Sequence, residues 1–233
     1  MTRIIPDMTV CLVEQYTILP YAAALLRQQE LAEQRRSDSV PDTIMLLEHP
    51  PTITLGRNAT PDELLSPASL MESRGVTVVE TDRGGRSTYH GPGQIVGYPI
   101  LDLRGHGQDL HRYLRNIEET IIRALALAGI AAGRIDGLTG VWVGDRKIAA
   151  IGVKARQWIT SHGFSINVNP DLSVMRQDMI PCGIAGHGVT SVAEQLPDAG
   201  FDRKTFEPLL LQSLTEVFDF HLKYSGNTGI IPQ

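Results

Sequence analysis

A chain of 233 residues, 42% hydrophobic and 20% charged, has a globular composition, and no linker, repeat or low-complexity stretch divides it, so residues 1–233 read as a single domain. No run approaches the roughly 20 apolar residues of a membrane helix, and residues 1–10 lack the basic start and apolar centre of a signal peptide, so a soluble, cytoplasmic protein without a membrane partner is expected. A formal charge of −5 without a basic cluster argues against nucleic acid as a partner, and two cysteines far apart, Cys11 and Cys182, make no disulfide framework.

The first predicted element is a surface helix over residues 20–36, PYAAALLRQQELAEQRR, rich in helix formers and broken by residues 37–41. Runs of strand character follow at 43–47, 76–80 and 95–100. The spacing of Leu110, Tyr113, Leu114, Ile117, Ile121 and Leu125 predicts a core-packed helix over 109–130, with Asp109 at its N-cap and Gly129 near its end. Strands at 140–143 and 147–153 flank a tight turn at Gly144 and Asp145, another strand covers 164–168, and a helix capped by Asp202 covers 203–222. Consecutive strands with one long helix among them suggest an α+β fold, a mainly antiparallel sheet with packed helices. No strand leads into GxGxxG, and GxxxxGK[ST] is missing, so neither dinucleotide nor P-loop chemistry has support.

Three segments carry candidate chemistry. RGGRSTYHGPGQIVGYP, residues 83–99, packs five glycines and two prolines between apolar strands. Glycine clusters mark turns more often than sites, but Arg83, Arg86, His90 and Gln94 beside these glycines tip the balance toward a site. Lys147 opens the apolar strand that includes Ala150, Ile151 and Gly152. Most such lysines are solvated strand ends, and this one gains interest only beside a group whose ionisation it shifts. Cys11 reads as a small buried hydrophobe, whereas Cys182 sits between Pro181 and Gly183, a setting suited to presenting a side chain. A thiol of pKa about 8.5 needs a nearby cation to be a nucleophile at neutral pH, and Lys147 or a histidine can supply it.

The ordered blocks LLEHPPTITLGR (46–57), RGGRSTYHGPGQIVGYPILDL (83–103), TGVWV (139–143), KIAAIGVKARQWITSHGFSINVNPDL (147–172) and IPCGI (180–184) resemble the lipoyl(octanoyl) transferase family over most of the chain. The resemblance implies a fold similar to the catalytic domains of biotin and lipoate protein ligases. It implies that Cys182 takes octanoyl from the phosphopantetheine thioester of acyl carrier protein and passes it to a lysine of lipoyl domains, those of 2-oxoacid dehydrogenase E2 subunits and the glycine cleavage H protein. Lys147 would lower the thiol pKa and move the proton. The acyl-binding positions it implies are Arg83, Gly84, Gly85, Arg86, Ser87, Thr88, Tyr89 and His90, then Ala150, Ile151 and Gly152, then Gly163, Phe164 and Ser165. No cofactor is expected, because thioester exchange is near neutral and amide formation from a thioester is downhill. Ser165 stands where alanine is frequent in the family and Leu138 where a basic residue is common. Arg57, Arg83, Arg86, Lys154 and Arg156 are expected to form a basic rim for acidic carriers. Oxyanion donors are sought near Gly183 and the His90–Gly91 turn.

Three rivals stand beside this reading: an ATP-dependent ligase, which gives Cys182 no necessary role; a zinc centre of His90, His162 and Cys182, which has no paired ligand spacing; and a non-enzymatic lipoyl-domain binder.

Overall fold

The computed structural model describes residues 9–180 and 186–225. Strand β1 (Thr9–Ile18) is followed by α1 (Tyr21–Arg36), β2 (Asp42–Glu48), β3 (Thr52–Leu55), a 3₁₀ turn (Pro61–Glu63), α2 (Ala68–Ser73), β4 (Thr77–Glu80), β5 (Ser87–His90) and β6 (Gln94–Ile100). Then come α3 (Leu110–Leu127), β7 (Gly133–Ile135), β8 (Leu138–Val143), β9 (Arg146–Arg156), β10 (Ile159–Asn167), α4 (Ser173–Gln177), β11 (Gly188–Val189), α5 (Val192–Gln195), α6 (Arg203–Phe218) and β12 (Phe220–Tyr224).

Among the described residues the large sheet runs β12-β1-β2-β6-β10-β9-β8-β7, with β11 added beside β9, and a small sheet runs β4-β3-β5. From β2 to β7 every pairing is antiparallel, while β1 lies parallel to both β2 and β12. The expected α+β architecture with a mainly antiparallel sheet is what forms.

Strand β2 shows why the layers stack as they do. Period-two alternation sends Ile44 and Leu46 to one face, against α3 and α6 through Ile117, Ile121, Leu210 and Leu214. Met45 and Leu47 go to the other face, where α1 packs through Ala24 and Leu31. Helix α1 thus buries one side rather than lying wholly on the surface. The N-caps at Asp109 and Asp202 are made, Asp109 accepting from the His111 and Arg112 amides.

The last helix is shorter than its apolar pattern predicts. Asp219 adopts a left-handed φ of 58°, which stops α6 at Phe218, and Phe220 and Leu222 are spent on β12 beside β1. Strands β1, β3 and β5 are structure the sequence reading left as loop or unassigned. Cys11, on β1, is fully buried, and burial with Asp42 nearby pushes its thiol far up and out of reactive range.

Candidate active site

A cavity of about 420 Å³ opens where the small sheet leans on β9 and β10. Arg83, Gly85, Arg86, Ser87, Thr88 and His90 form one wall, Lys147 and Ala150, Ile151 and Gly152 from β9 a second, and Gly163, Phe164 and Ser165 from β10 a third. Segments far apart in the chain thus converge, and of the predicted acyl-binding positions only Gly84 and Tyr89 do not line the cavity. Gly84 spends its amide on the Val153 carbonyl at 3.0 Å. The Tyr89 ring points the other way along β5 and packs with Ile53, Met71 and Leu172. Ser165 and Leu138, the two departures from the family pattern, both line the cavity. Cys182 and Gly183 lie outside the described residues.

A bulge in β9 aims Lys147. Trp142 faces Lys147 but Val141 faces Ala149, so one extra residue enters β9. Ile148 and Ala149 both turn into the core, while Lys147 joins Ala150 and Gly152 on the cavity side. Its ammonium lies 4.8 Å from the Trp142 ring centre, and the side chain is 6% exposed. Gly140 clears the space: at φ 127°, a Cβ there would meet the Ala149 carbonyl at 2.8 Å and Lys147 Cε at 3.3 Å. Gly140→Ala is therefore expected to lose about 1–3 kcal/mol in urea unfolding, as strained backbone and overpacking require.

Strands β6 and β10 approach closely for a similar reason. A Cβ at Gly163 would sit 2.1 Å from the Gly97 carbonyl, and one at Gly97 would strike the Phe164 ring, so these two glycines let Phe164 form the cavity floor.

The glycine-rich loop is a clamped corner. Arg57 and Asn58 amides donate to the Arg83 and Gly85 carbonyls at 3.1 Å, and Arg83 is buried with its guanidinium on the Thr54 carbonyl and hydroxyl. Glu63, which the sequence reading did not single out, is the anchor. Its carboxylate is 1% exposed and accepts from the Ser87 amide (2.8 Å) and hydroxyl, Arg86 Nε (2.7 Å) and the Thr60 amide (2.8 Å). Burial alone would raise its pKa, but the Ser87, Arg86 and Thr60 donors outweigh that and hold it at about 2. The Glu63 carbonyl also accepts the Ile180 amide at 2.8 Å, and the Ser87 hydroxyl oxygen lies 3.3 Å from the Ile180 carbonyl. On the downstream side, β11 pairs with β9 so that Val189 faces Lys147, and the Thr190 amide donates to the Lys147 carbonyl. The described flanks of residues 181–185 therefore border the cavity at Ser87 and at Lys147.

The expected basic rim is largely neutralised. Arg83 is turned inward, Arg86 pairs with Glu63, and Lys154 pairs with Asp82, which leaves Arg57 and Arg156 as its exposed cations. His162 donates toward Asp82 at 2.8 Å; burial lowers its pKa despite that carboxylate. Asp82 is itself drawn down to about 2, its partial burial outweighed by Lys154 and His162. His162 Nε2 is committed to Asp82 and His90 Nδ1 to Gln94, and the described residues, which do not include Cys182, hold no cluster of three or more metal-binding side chains. Tyr21 and Tyr98 complete an aromatic wall, with the fully buried His49 in ring contact with both. His49 and Tyr98 fall within the family blocks, yet neither carries a spacing signal that separates it from core.

A family profile described as the lipoyl protein ligase A/B catalytic domain matches residues 20–215. An octanoyltransferase of Chloroflexus aggregans is 48% identical over 86% of this chain and 91% of that protein. Among solved structures, the bipartite lipoate protein ligase of Thermoplasma acidophilum, described with its E2 lipoyl domain, superposes with a TM-score of 0.72 at 16% identity, covering 94% of this chain and 87% of that one. A biotin protein ligase of Aquifex aeolicus gives 0.51 at 14% identity over 90% of this chain and 69% of that one, so the fold is that of the ligase catalytic domains. With the cavity between two sheets, the buried lysine and relatives matched over most of their length, the chain belongs to the octanoyltransferases of the lipoyl protein ligase A/B catalytic domain family, and it is an acyltransferase.

Proposed function

We propose that this protein moves an octanoyl group from octanoyl-acyl carrier protein to a lysine amine of lipoyl domains, those of 2-oxoacid dehydrogenase E2 subunits and the glycine cleavage H protein, through a thioester on Cys182. The observation that carries the reading is the convergence on Lys147: a buried cation faces the cavity, no described carboxylate pairs with it, and the chain on either side of Cys182 is tied to the cavity's edges. Lys147 favours the thiolate of Cys182, which attacks the donor thioester and releases the phosphopantetheine thiol. The lysine amine then attacks the acyl-enzyme and regenerates Cys182. The first step exchanges like for like and the second makes an amide, so no nucleotide or other cofactor is called for.

The cavity suits an acyl chain because Leu138, Ala150, Ile151 and Phe164 supply apolar lining. Burial of each methylene contributes about 0.8 kcal/mol, so the eight-carbon chain is held mainly by its length.

Intact-mass analysis after mixing with octanoyl-acyl carrier protein tests the reading. Wild type should gain one octanoyl group that hydroxylamine removes, and Cys182→Ala should gain none. Adenylate formed from ATP and free octanoate, with a fully active Cys182→Ala, would replace this reading with the ligase.

A further inference from the structure

Two side chains on the cavity wall present lone pairs and no proton, and the hydrogen-bond network dictates this. A backbone carbonyl can only accept. His49 Nδ1 lies 2.6 Å from the Leu19 carbonyl, so that nitrogen carries the proton. Burial draws the His49 pKa down to about 4, which leaves the ring neutral and Nε2 bare. Tyr98 Oη, 2.7 Å from Nε2, must donate to it. Its remaining lone pair is what Tyr98 has to offer the cavity it lines.

The same reasoning sets His90. Asn167 Nδ2 donates to the Thr190 carbonyl at 2.9 Å, which turns its oxygen toward Gln94 Nε2 at 2.8 Å. Gln94 Nε2 also donates to the Tyr89 carbonyl at 3.1 Å, so Gln94 Oε1 is the atom 3.3 Å from His90 Nδ1, and Nδ1 must carry the proton. Burial keeps this ring neutral as well, so His90 Nε2 is an acceptor. The His90 and His49 rings are 5.5 Å apart and the His49 and Tyr98 rings 5.8 Å, so the two cavity-lining residues His90 and Tyr98 both pack against His49.

The charges around this wall select what it holds. Lys147 lines the cavity, and no carboxylate does among its described lining residues. An ammonium group would meet like charge without a counter-ion, whereas a neutral amine brings two N–H groups to two acceptors. We propose that His90 Nε2 and Tyr98 Oη together seat the neutral primary amine of the acceptor lysine and so point its lone pair at the acyl carbonyl, an inference that rests on the two-step transfer proposed above. His49 and Gln94 are positioning residues that fix the two protons. In the step itself the C–N bond forms and the C–S bond breaks. The electron pair leaves with sulfur, and the proton shed by nitrogen ends on that sulfur. His90 and Tyr98 finish as they began.

The test has two arms. Long-range ¹H–¹⁵N spectra of histidine-labelled protein at pH 7 should show His49 and His90 protonated on Nδ1 alone; a proton on His90 Nε2 overturns the proposal. Single-turnover kinetics then compare loading from octanoyl-acyl carrier protein with transfer to a lipoyl domain in His90→Phe and in the near-isosteric Tyr98→Phe. Losing an acceptor should slow transfer about 10- to 100-fold more than loading. Loading and transfer that fall in proportion in both variants overturn the amine seat while leaving the two-step reading intact. Wild-type protein that takes no octanoyl adduct overturns the two-step reading itself.

Discussion

Lys147→Met should slow acyl loading at pH 7 by about 8- to 25-fold, with the deficit shrinking as pH rises past about 9. Methionine is unbranched and only one atom shorter, and its thioether can pack near the Trp142 ring, so the change removes charge with little change of shape. A thiol with its ordinary pKa of about 8.5 is only about 3% thiolate at pH 7, and a neighbouring cation that lowers the pKa by one to two units raises that to about 24–76%. Raising the pH does the same without the cation. Quenched-flow intact mass between pH 6 and pH 10 gives the profile. A loss of equal size at every pH would assign Lys147 a shaping role and remove it from thiol activation.

Glu63→Ala should cost about 3–5 kcal/mol, the usual penalty for removing one partner from a buried charged network. The substitution leaves the Ser87 amide and hydroxyl, Arg86 and the Thr60 amide without their common acceptor. Glu63→Gln keeps the shape and loses the charge, so its cost should be intermediate. Chemical denaturation at pH 7 checks both. The wild-type protein should report the same interaction through acid. The Glu63 carboxyl is held at about 2 against an ordinary 4.5, so its contribution is complete above pH 4.5 and is lost as pH falls from there toward 2. Stability in that window should fall less steeply in Glu63→Gln than in wild type.

Much of the site was legible because its parts sit in contiguous blocks. The glycine-rich loop, the strand from Lys147 and the tripeptide at Gly163 line one cavity as the sequence indicated, since each block contributes its own local geometry. What stayed hidden depends on pairing between distant segments. Glu63 reads as an ordinary acidic residue in a turn, and only the folded chain places it under Ser87 and Ile180. Whether Lys147 faced the cavity depended on a bulge, which alternation within β9 alone does not disclose. The basic rim failed for a related reason: charge counting cannot see that Glu63 and Asp82 lie beside Arg86 and Lys154. Among the elements, β12 was absorbed into the preceding helix because Phe220 and Leu222 continue a helical apolar pattern, and the left-handed turn at Asp219 leaves no strong signal in an aspartate.

The pairing of β1 with β12 has a consequence for how the molecule is made. These strands lie side by side in parallel register, Thr9 opposite Phe220 and Val13 opposite Tyr224, although they come from opposite ends of the described chain. Closing so long a loop is a late and entropically costly event, and it gives this domain a high contact order. During synthesis β1 can pair with β2 early, but its other edge stays open until Tyr224 has left the ribosome. That open edge offers unsatisfied backbone groups to any neighbouring chain, so the interval before β12 arrives is when this protein is most exposed to misassembly.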